Sequence, residues 1–205
     1  MIAIVDYGVG NLFSLRASFA AIGADVVVSS DESVIRSADK IILPGVGAFE
    51  DAARKLRESG LGKVVCDEAS KGKPILGICL GMQMLFEKSF EYGEHEGLGL
   101  IKGAVRPIKG VIPDGLKIPH IGWNALIMKG DKSPIFKYIN DGDCVYFVHS
   151  YYAADCDDAV IATAEYGALL TAAVQSGNVF GCQFHPEKSG EVGLAILRAF
   201  VETEV

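Results

Sequence analysis

Cys79 lies between two glycines in the segment Gly77-Ile78-Cys79-Leu80-Gly81, directly after the apolar residues Ile75, Leu76 and Ile78. This is a thiol counterpart of the G-x-S-x-G arrangement, which places a nucleophile on a sharp strand-to-helix turn. A residue on such a turn occupies strained φ/ψ space, and small neighbours on either side relieve the crowding. A helix that starts at once points its N-terminus at the sulfur, and its free N–H groups and dipole favour a thiolate. The Leu80 N–H faces the position where an oxyanion would form. The plain alternative is a structural thiol, because cysteine is among the most often buried residues. The other cysteines suit that plain reading. Cys66 shares a helix face with apolar neighbours, Cys144 and Cys182 alternate with aromatics, and Cys156 sits in a polar turn. No CxxC occurs, so zinc and dithiol chemistry are not expected, and free thiols in a reducing compartment are.

A nucleophilic cysteine needs a base, and the base needs a third group to orient it. His185 ends the apolar run Val179-Phe180-Gly181-Cys182-Gln183-Phe184 and is followed by Pro186 and Glu187. In extended chain, residues two apart point to the same side, and Pro186 stiffens the link. Glu187 can then accept from one imidazole nitrogen while the other faces the thiol. His-Pro-Glu by itself can also be a charged turn. Its place at a strand end favours a site, because ligands gather at the carboxyl ends of strands in α/β sheets. His95 is expected to be solvated in a loop. His120 and His149 suit either a site lining or a hydrogen-bonded core. The segment Pro44-Gly45-Val46-Gly47-Ala48 follows another buried strand, and its glycines could bring a second oxyanion donor close or merely form a turn. Gly8-Val9-Gly10 begins like a dinucleotide fingerprint, but Phe13 stands where the third glycine belongs, with only Asp31 near a ribose-binding position, so nucleotide binding is not expected.

These residues need a scaffold, and the hydrophobic pattern supplies one. Strands are predicted at MIAIVDYG, ADVVVSS, KIILPG and PILGI. Helices are predicted at 12–23, 32–38, 47–59 and 60–72, and after Cys79 through GMQMLFEKS. This βαβαβαβ order implies a mostly parallel central sheet flanked by helices, an α/β fold of flavodoxin-like type. Residues 93–114 are glycine-rich and lack helical periodicity. The later segments LKIPHIGW, DCVYFVHSYYA, AVIATAEYG, LTAAVQSG and VFGCQFH read as strands in antiparallel pairing. A last helix is predicted over about 192–201. One domain, 1–205, is expected. The chain has 19 basic and 26 acidic residues, a net charge of −7, and half its residues are hydrophobic. It shows no basic stripe for nucleic acid, no apolar run near the ~20 residues that span a membrane, and no secretory signal, so a cytoplasmic location is expected.

The ordered set PGVGAF (44–49), GICLGMQ (77–83) and FHPEKSG (184–190) resembles the class I, or triad, glutamine amidotransferases over the whole chain. YGVGNL (7–12), PHIGWN (119–124) and VHSYY (148–152) resemble the branch of that family that serves as glutaminase subunits of imidazole glycerol phosphate synthases. Ile121 stands where that branch is expected to carry methionine. The resemblance implies a Cys79–His185–Glu187 triad that hydrolyses glutamine through a thioester. It implies an oxyanion hole from the N–H groups of Leu80 and Val46, and substrate contacts from Gly47, Gln83, Glu91, Ser150 and Tyr151. Ammonia would pass to a (β/α)8-barrel cyclase on a separate chain, which makes imidazole glycerol phosphate and an aminoimidazole ribonucleotide in histidine biosynthesis. Asn11, Trp123 and Lys188 would meet that partner. No cofactor and no metal are implied. The glycine-rich 45–47 segment is expected to reorient, since glycine permits a peptide flip at low cost. A cysteine peptidase or esterase with the same triad, and a silent binding subunit with a structural thiol, are the competing readings.

Overall fold

The computed structural model describes residues 1–204. The first half alternates as its pattern dictates: β1 (Ile2–Val5), α1 (Leu12–Ala21), β2 (Val26–Ser29), α2 (Glu32–Ser37), β3 (Lys40–Leu43), α3 (Phe49–Glu58), α4 (Leu61–Ser70) and β4 (Ile75–Ile78). The chain then runs through α5 (Leu80–Met84), β5 (Phe86–Ser89), β6 (His95–Glu96), β7 (Ile101–Pro107), β8 (His120–Met128), β9 (Cys144–His149), β10 (Tyr151–Ala154), β11 (Val160–Glu165), β12 (Leu169–Ser176), β13 (Val179–Cys182) and α6 (Gly190–Glu202).

The main sheet has nine strands in the order β2-β1-β3-β4-β13-β12-β11-β8-β9. The strands from β2 to β13 pair in parallel, and those from β13 to β9 pair antiparallel. Buried strands here alternate between two helix layers, as a period of two requires. Ala3, Val5, Ile41 and Leu43 pack with Phe49, Leu56 and Val64 of α3 and α4. Ile4, Ile42, Leu76 and Phe180 pack with Leu15 and Phe19 of α1 and with Ile196 and Phe200 of α6. Asp31 caps α2, its carboxylate accepting from the Ser33 N–H at 2.7 Å, and so has an ordinary structural role. Between α2 and α4, the buried Glu68 carboxylate meets Lys71 at 2.6 Å, Lys73 at 2.7 Å and Arg36 at 3.1 Å. Those hydrogen bonds, from Lys71 and Lys73 above all, hold its pKa down at about 2.

The structure corrects or extends the expectations at three points. The helix after Cys79 ends at Met84, and Phe86–Ser89 is a strand. It pairs with β7, and tertiary pairing overrides the local helical preference. The glycine-rich stretch after 93 contributes β6 and β7, which form a second sheet in the order β10-β7-β5-β6. Finally, β13 is parallel to β4 on one side and antiparallel to β12 on the other. It is the seam between the two halves of the main sheet.

Candidate active site

The register of that seam builds the site. Gly181 lies opposite Gly77, and Cys182 opposite Ile78. Both strands end together, so Cys79 leaves one and Gln183 and His185 leave the other at the same edge. The Cys79 N–H donates to the Cys182 carbonyl at 2.7 Å. Cys79 has φ 53° and ψ −112°, a left-handed conformation that L residues rarely adopt. The flanking glycines make it possible. A Cβ on Gly81 would sit 1.8 Å from the Leu43 carbonyl oxygen, and one on Gly77 would sit 2.7 Å from the Gly81 oxygen. The GxCxG spacing is therefore a requirement of close backbone approach. The helix that follows has only five residues, so its dipole is smaller than the sequence suggested.

His185 is buried, and its Nδ1 lies 2.8 Å from Glu187 Oε1. The Glu187 side chain is buried behind it. The route differs from the extended link read from sequence. Residues Pro186–Lys188 form a 3-10 turn that folds the carboxylate back onto the ring. Ser189 Oγ locks this turn by donating to the His185 carbonyl at 2.7 Å and accepting from the Tyr146 N–H at 3.0 Å. Burial alone would lower the His185 pKa. The neighbouring Cys79 and the hydrogen bond to Glu187, with their negative charges, push it up to about 9. That favours the protonated imidazole beside Cys79.

A cavity of about 290 Å³ opens beside the sulfur. It is lined by Val46, Gly47, Cys79, Leu80, Gln83, Glu91, Pro119, Val148, His149, Ser150, Tyr151 and His185. The oxyanion and substrate candidates thus converge with Cys79 and His185. Glu91 also has a structural tie, its Oε2 accepting from the Phe49 N–H at 2.6 Å at the start of α3. The Leu80 N–H, however, is occupied. It donates to the Gly45 carbonyl at 3.3 Å, so it does not face open space as expected. The buried Tyr7 hydroxyl donates to the Pro44 carbonyl at 2.7 Å and anchors the start of that loop. Burial, then the nearby Cys79, raises the Tyr7 pKa.

One site residue escaped the sequence reading. Gln183 is fully buried and its amide reaches Cys79 Sγ at 3.8 Å, while Gln83 donates to Gln183 Oε1 at 3.0 Å. Its position two before His185 was a usable signal, since both point to one side. His149, left open between site and core, lines the cavity. His95 belongs to β6, not to a loop. None of the three partner candidates lines the cavity. Trp123 is 55% exposed, its ring 6.0 Å from that of Tyr146, over which the Lys188 ammonium also lies at 6.0 Å. Asn11 precedes α1, which packs on the Pro186–Lys188 turn.

Comparison with known proteins agrees with this geometry. The family model described as glutamine amidotransferase class-I matches residues 3–203. The chain is 52% identical over 202 residues to the imidazole glycerol phosphate synthase subunit HisH of Lactococcus lactis subsp. lactis, covering 98% of each chain. It is 49% identical over 199 residues to the HisH of Aquifex aeolicus, covering 96% of this chain and 94% of that one. Among solved structures, a glutamine amidotransferase crystal structure matches with a TM-score of 0.76 at 18% identity, covering 98% of both chains, which speaks to the fold alone. PurLQS from Thermotoga maritima matches with a TM-score of 0.73 at 25% identity, covering 97% of this chain and 96% of that one. A cysteine on a strained strand end, a histidine braced by a carboxylate and a full-length family match lead to one assignment: the chain belongs to the class I glutamine amidotransferases.

Proposed function

We propose that this chain is the glutaminase subunit of an imidazole glycerol phosphate synthase, with Cys79 as nucleophile. The observation that carries the reading is the convergence of Cys79, His185 and Glu187 at two adjoining strand ends, over a cavity lined by polar groups. The Cys79 thiolate attacks the side-chain amide carbon of glutamine. His185, oriented by Glu187, gives its proton to the departing ammonia. Water, giving a proton back to the now neutral His185, then attacks the thioester, releasing glutamate and restoring the thiolate and the protonated imidazole. Glu91 suits the substrate ammonium, and Gly47, Gln83, Ser150 and Tyr151 hold the rest of the substrate. The tetrahedral oxyanion needs donors from Leu80 and Val46. Since the Gly45 carbonyl takes the Leu80 N–H, the Gly45–Val46 peptide must rotate before both donors are free.

Ammonia released into water is protonated and lost as a nucleophile, so it passes directly to a partner subunit. That partner is a (β/α)8-barrel cyclase on a separate chain, met by Asn11, Trp123 and Lys188. The chain works as one domain in the cytoplasm, and no helix among the described residues is long and apolar enough to cross a membrane. The test is Cys79→Ala in the complex. It should fold normally and lose glutamine hydrolysis while the partner still uses added ammonia. Unchanged glutamine turnover would refute the reading.

A further inference from the structure

The antiparallel register of β8 and β9 places His120 directly opposite His149, and the two rings meet at 3.0 Å between His120 Nδ1 and His149 Nε2. At the outer end, His120 Nε2 lies 2.7 Å from Asn124 Oδ1. His120 and Asn124 share a face of β8, and Gly122 leaves the space between them free of a side chain. At the inner end, His149 Nδ1 lies 2.8 Å from the Tyr151 carbonyl, which also takes Gln83 Nε2 at 3.3 Å. His120 is stacked on Tyr166 and Phe147, with ring centroids 4.1 and 5.0 Å apart. The result is a hydrogen-bonded chain from the partly exposed Asn124 amide to a backbone carbonyl at the cavity.

A proton count constrains this chain. The Tyr151 carbonyl only accepts, and Asn124 Oδ1 also accepts while Nδ2 donates to the Glu165 carbonyl at 2.9 Å. Three contacts between two acceptors need three N–H protons, and two neutral imidazoles bring two. Complete bonding in this arrangement therefore needs an imidazolium. Burial opposes that charge, pulling both rings down and His149 to about 4, and for His149 positive charge on His120 and then on His185 opposes it further. With both rings neutral, one contact must be given up, and the exposed Asn124–Glu165 hydrogen bond is the one that water can replace, so the Asn124 amide is the group that turns. Once turned, it donates to His120 Nε2, His120 Nδ1–H donates to His149 Nε2, and His149 Nδ1–H donates to Tyr151.

We propose that His149 is a positioning residue for glutamine, held by His120 and Asn124 in the Nδ1–H tautomer so that it fixes the Tyr151 carbonyl at the substrate side of the cavity. The proposal rests on reading the cavity as the glutamine site. It assigns His149 no proton transfer. Its role is to hold Ser150–Tyr151 and, through the shared carbonyl, the Gln83 amide.

Side-chain mimicry tests it. An asparagine amide nitrogen stands near the place of imidazole Nδ1, and a glutamine amide nitrogen near that of Nε2. In the complex with the synthase partner, His149→Leu and His149→Gln should raise KM for glutamine about tenfold, as expected for one lost hydrogen bond. In both, kcat should stay within about twofold, and His149→Asn should restore KM to within about twofold. Equal losses in all three variants, or an effect on kcat alone, would overturn the proposal. A second measurement needs no folded variant and no turnover. In the 15N-histidine-labelled wild-type chain at neutral pH, His149 should show a protonated Nδ1 and an unprotonated Nε2. The Nε2–H tautomer would overturn the proposal even if Cys79 proves to be the nucleophile. The Nδ1–H tautomer would stand even if the cavity takes another substrate.

Discussion

The two sides of the reacting centre are built differently. The Cys79 turn is fixed from every direction, with its N–H bonded to Cys182 and a glycine on each side where any Cβ would collide with backbone. The 44–48 loop facing it is tied at its base by Tyr7 and then loosens. Val46 is 43% exposed, and a Cβ on Gly47 would meet nothing within 4 Å among the described residues. On the proposed reading the nucleophile is preorganised, whereas one oxyanion donor, the Leu80 N–H, is taken by the Gly45 carbonyl. A glutaminase whose ammonia is useful only to a partner gains from that division. On that reading the sulfur stays ready, and stabilisation of the tetrahedral intermediate would wait on a peptide rotation, worth about 10²–10³ in rate for each donor supplied.

The contrast can be broken or sharpened by substitution. Cys79→Ala should lower glutamine hydrolysis by about 10⁴-fold or more while circular dichroism stays native, as for removal of a nucleophile. On the rigid side, Gly81→Ala should cost about 3 kcal/mol or more, or prevent folding, because its Cβ would overlap the Leu43 oxygen. On the loose side, Gly47→Ala should cost only about 1 kcal/mol, from its φ of +94° alone. Denaturant titration of both variants gives the comparison, and equal losses would erase the distinction. The pH profile should carry an alkaline limb near 9, where His185 gives up its proton and can no longer protonate ammonia. Glu187→Gln should move that limb down by about one unit. Far from the site, Glu68 has a folded pKa lowered from 4.5 to about 2. Its stabilising contribution is complete above pH 4.5 and is lost as pH falls toward 2. Thermal melts of Glu68→Gln should therefore differ from wild type by about 2 kcal/mol at pH 7 and converge near pH 2.

Much of this was legible along the chain, and the exceptions follow a physical pattern. The parallel half could be read because each strand there is a short apolar run between glycine, proline or cap residues, as in Ile2–Val5 and Ile75–Ile78. Cys79 and His185 could be placed because both end such runs. Phe86–Ser89 could not, since its apolar residues continue the helical spacing and only β7 makes it a strand. The parallel pairing of β13 with β4 is likewise a choice of neighbour that no local pattern records. The Glu187 approach through a 3-10 turn, the occupied Leu80 N–H and the His149 tie all depend on backbone groups, which carry no residue signature.

The central claim is that a Cys79 thiolate becomes acylated by glutamine and does so fastest when the opposing loop has turned. The most direct measurement is mass spectrometry of the peptide containing Cys79 after exposure to a glutamine-like electrophile, with and without the synthase partner. A single adduct on Cys79 that forms much faster in the complex is expected. Labelling of another residue, or a rate indifferent to the partner, would contradict it.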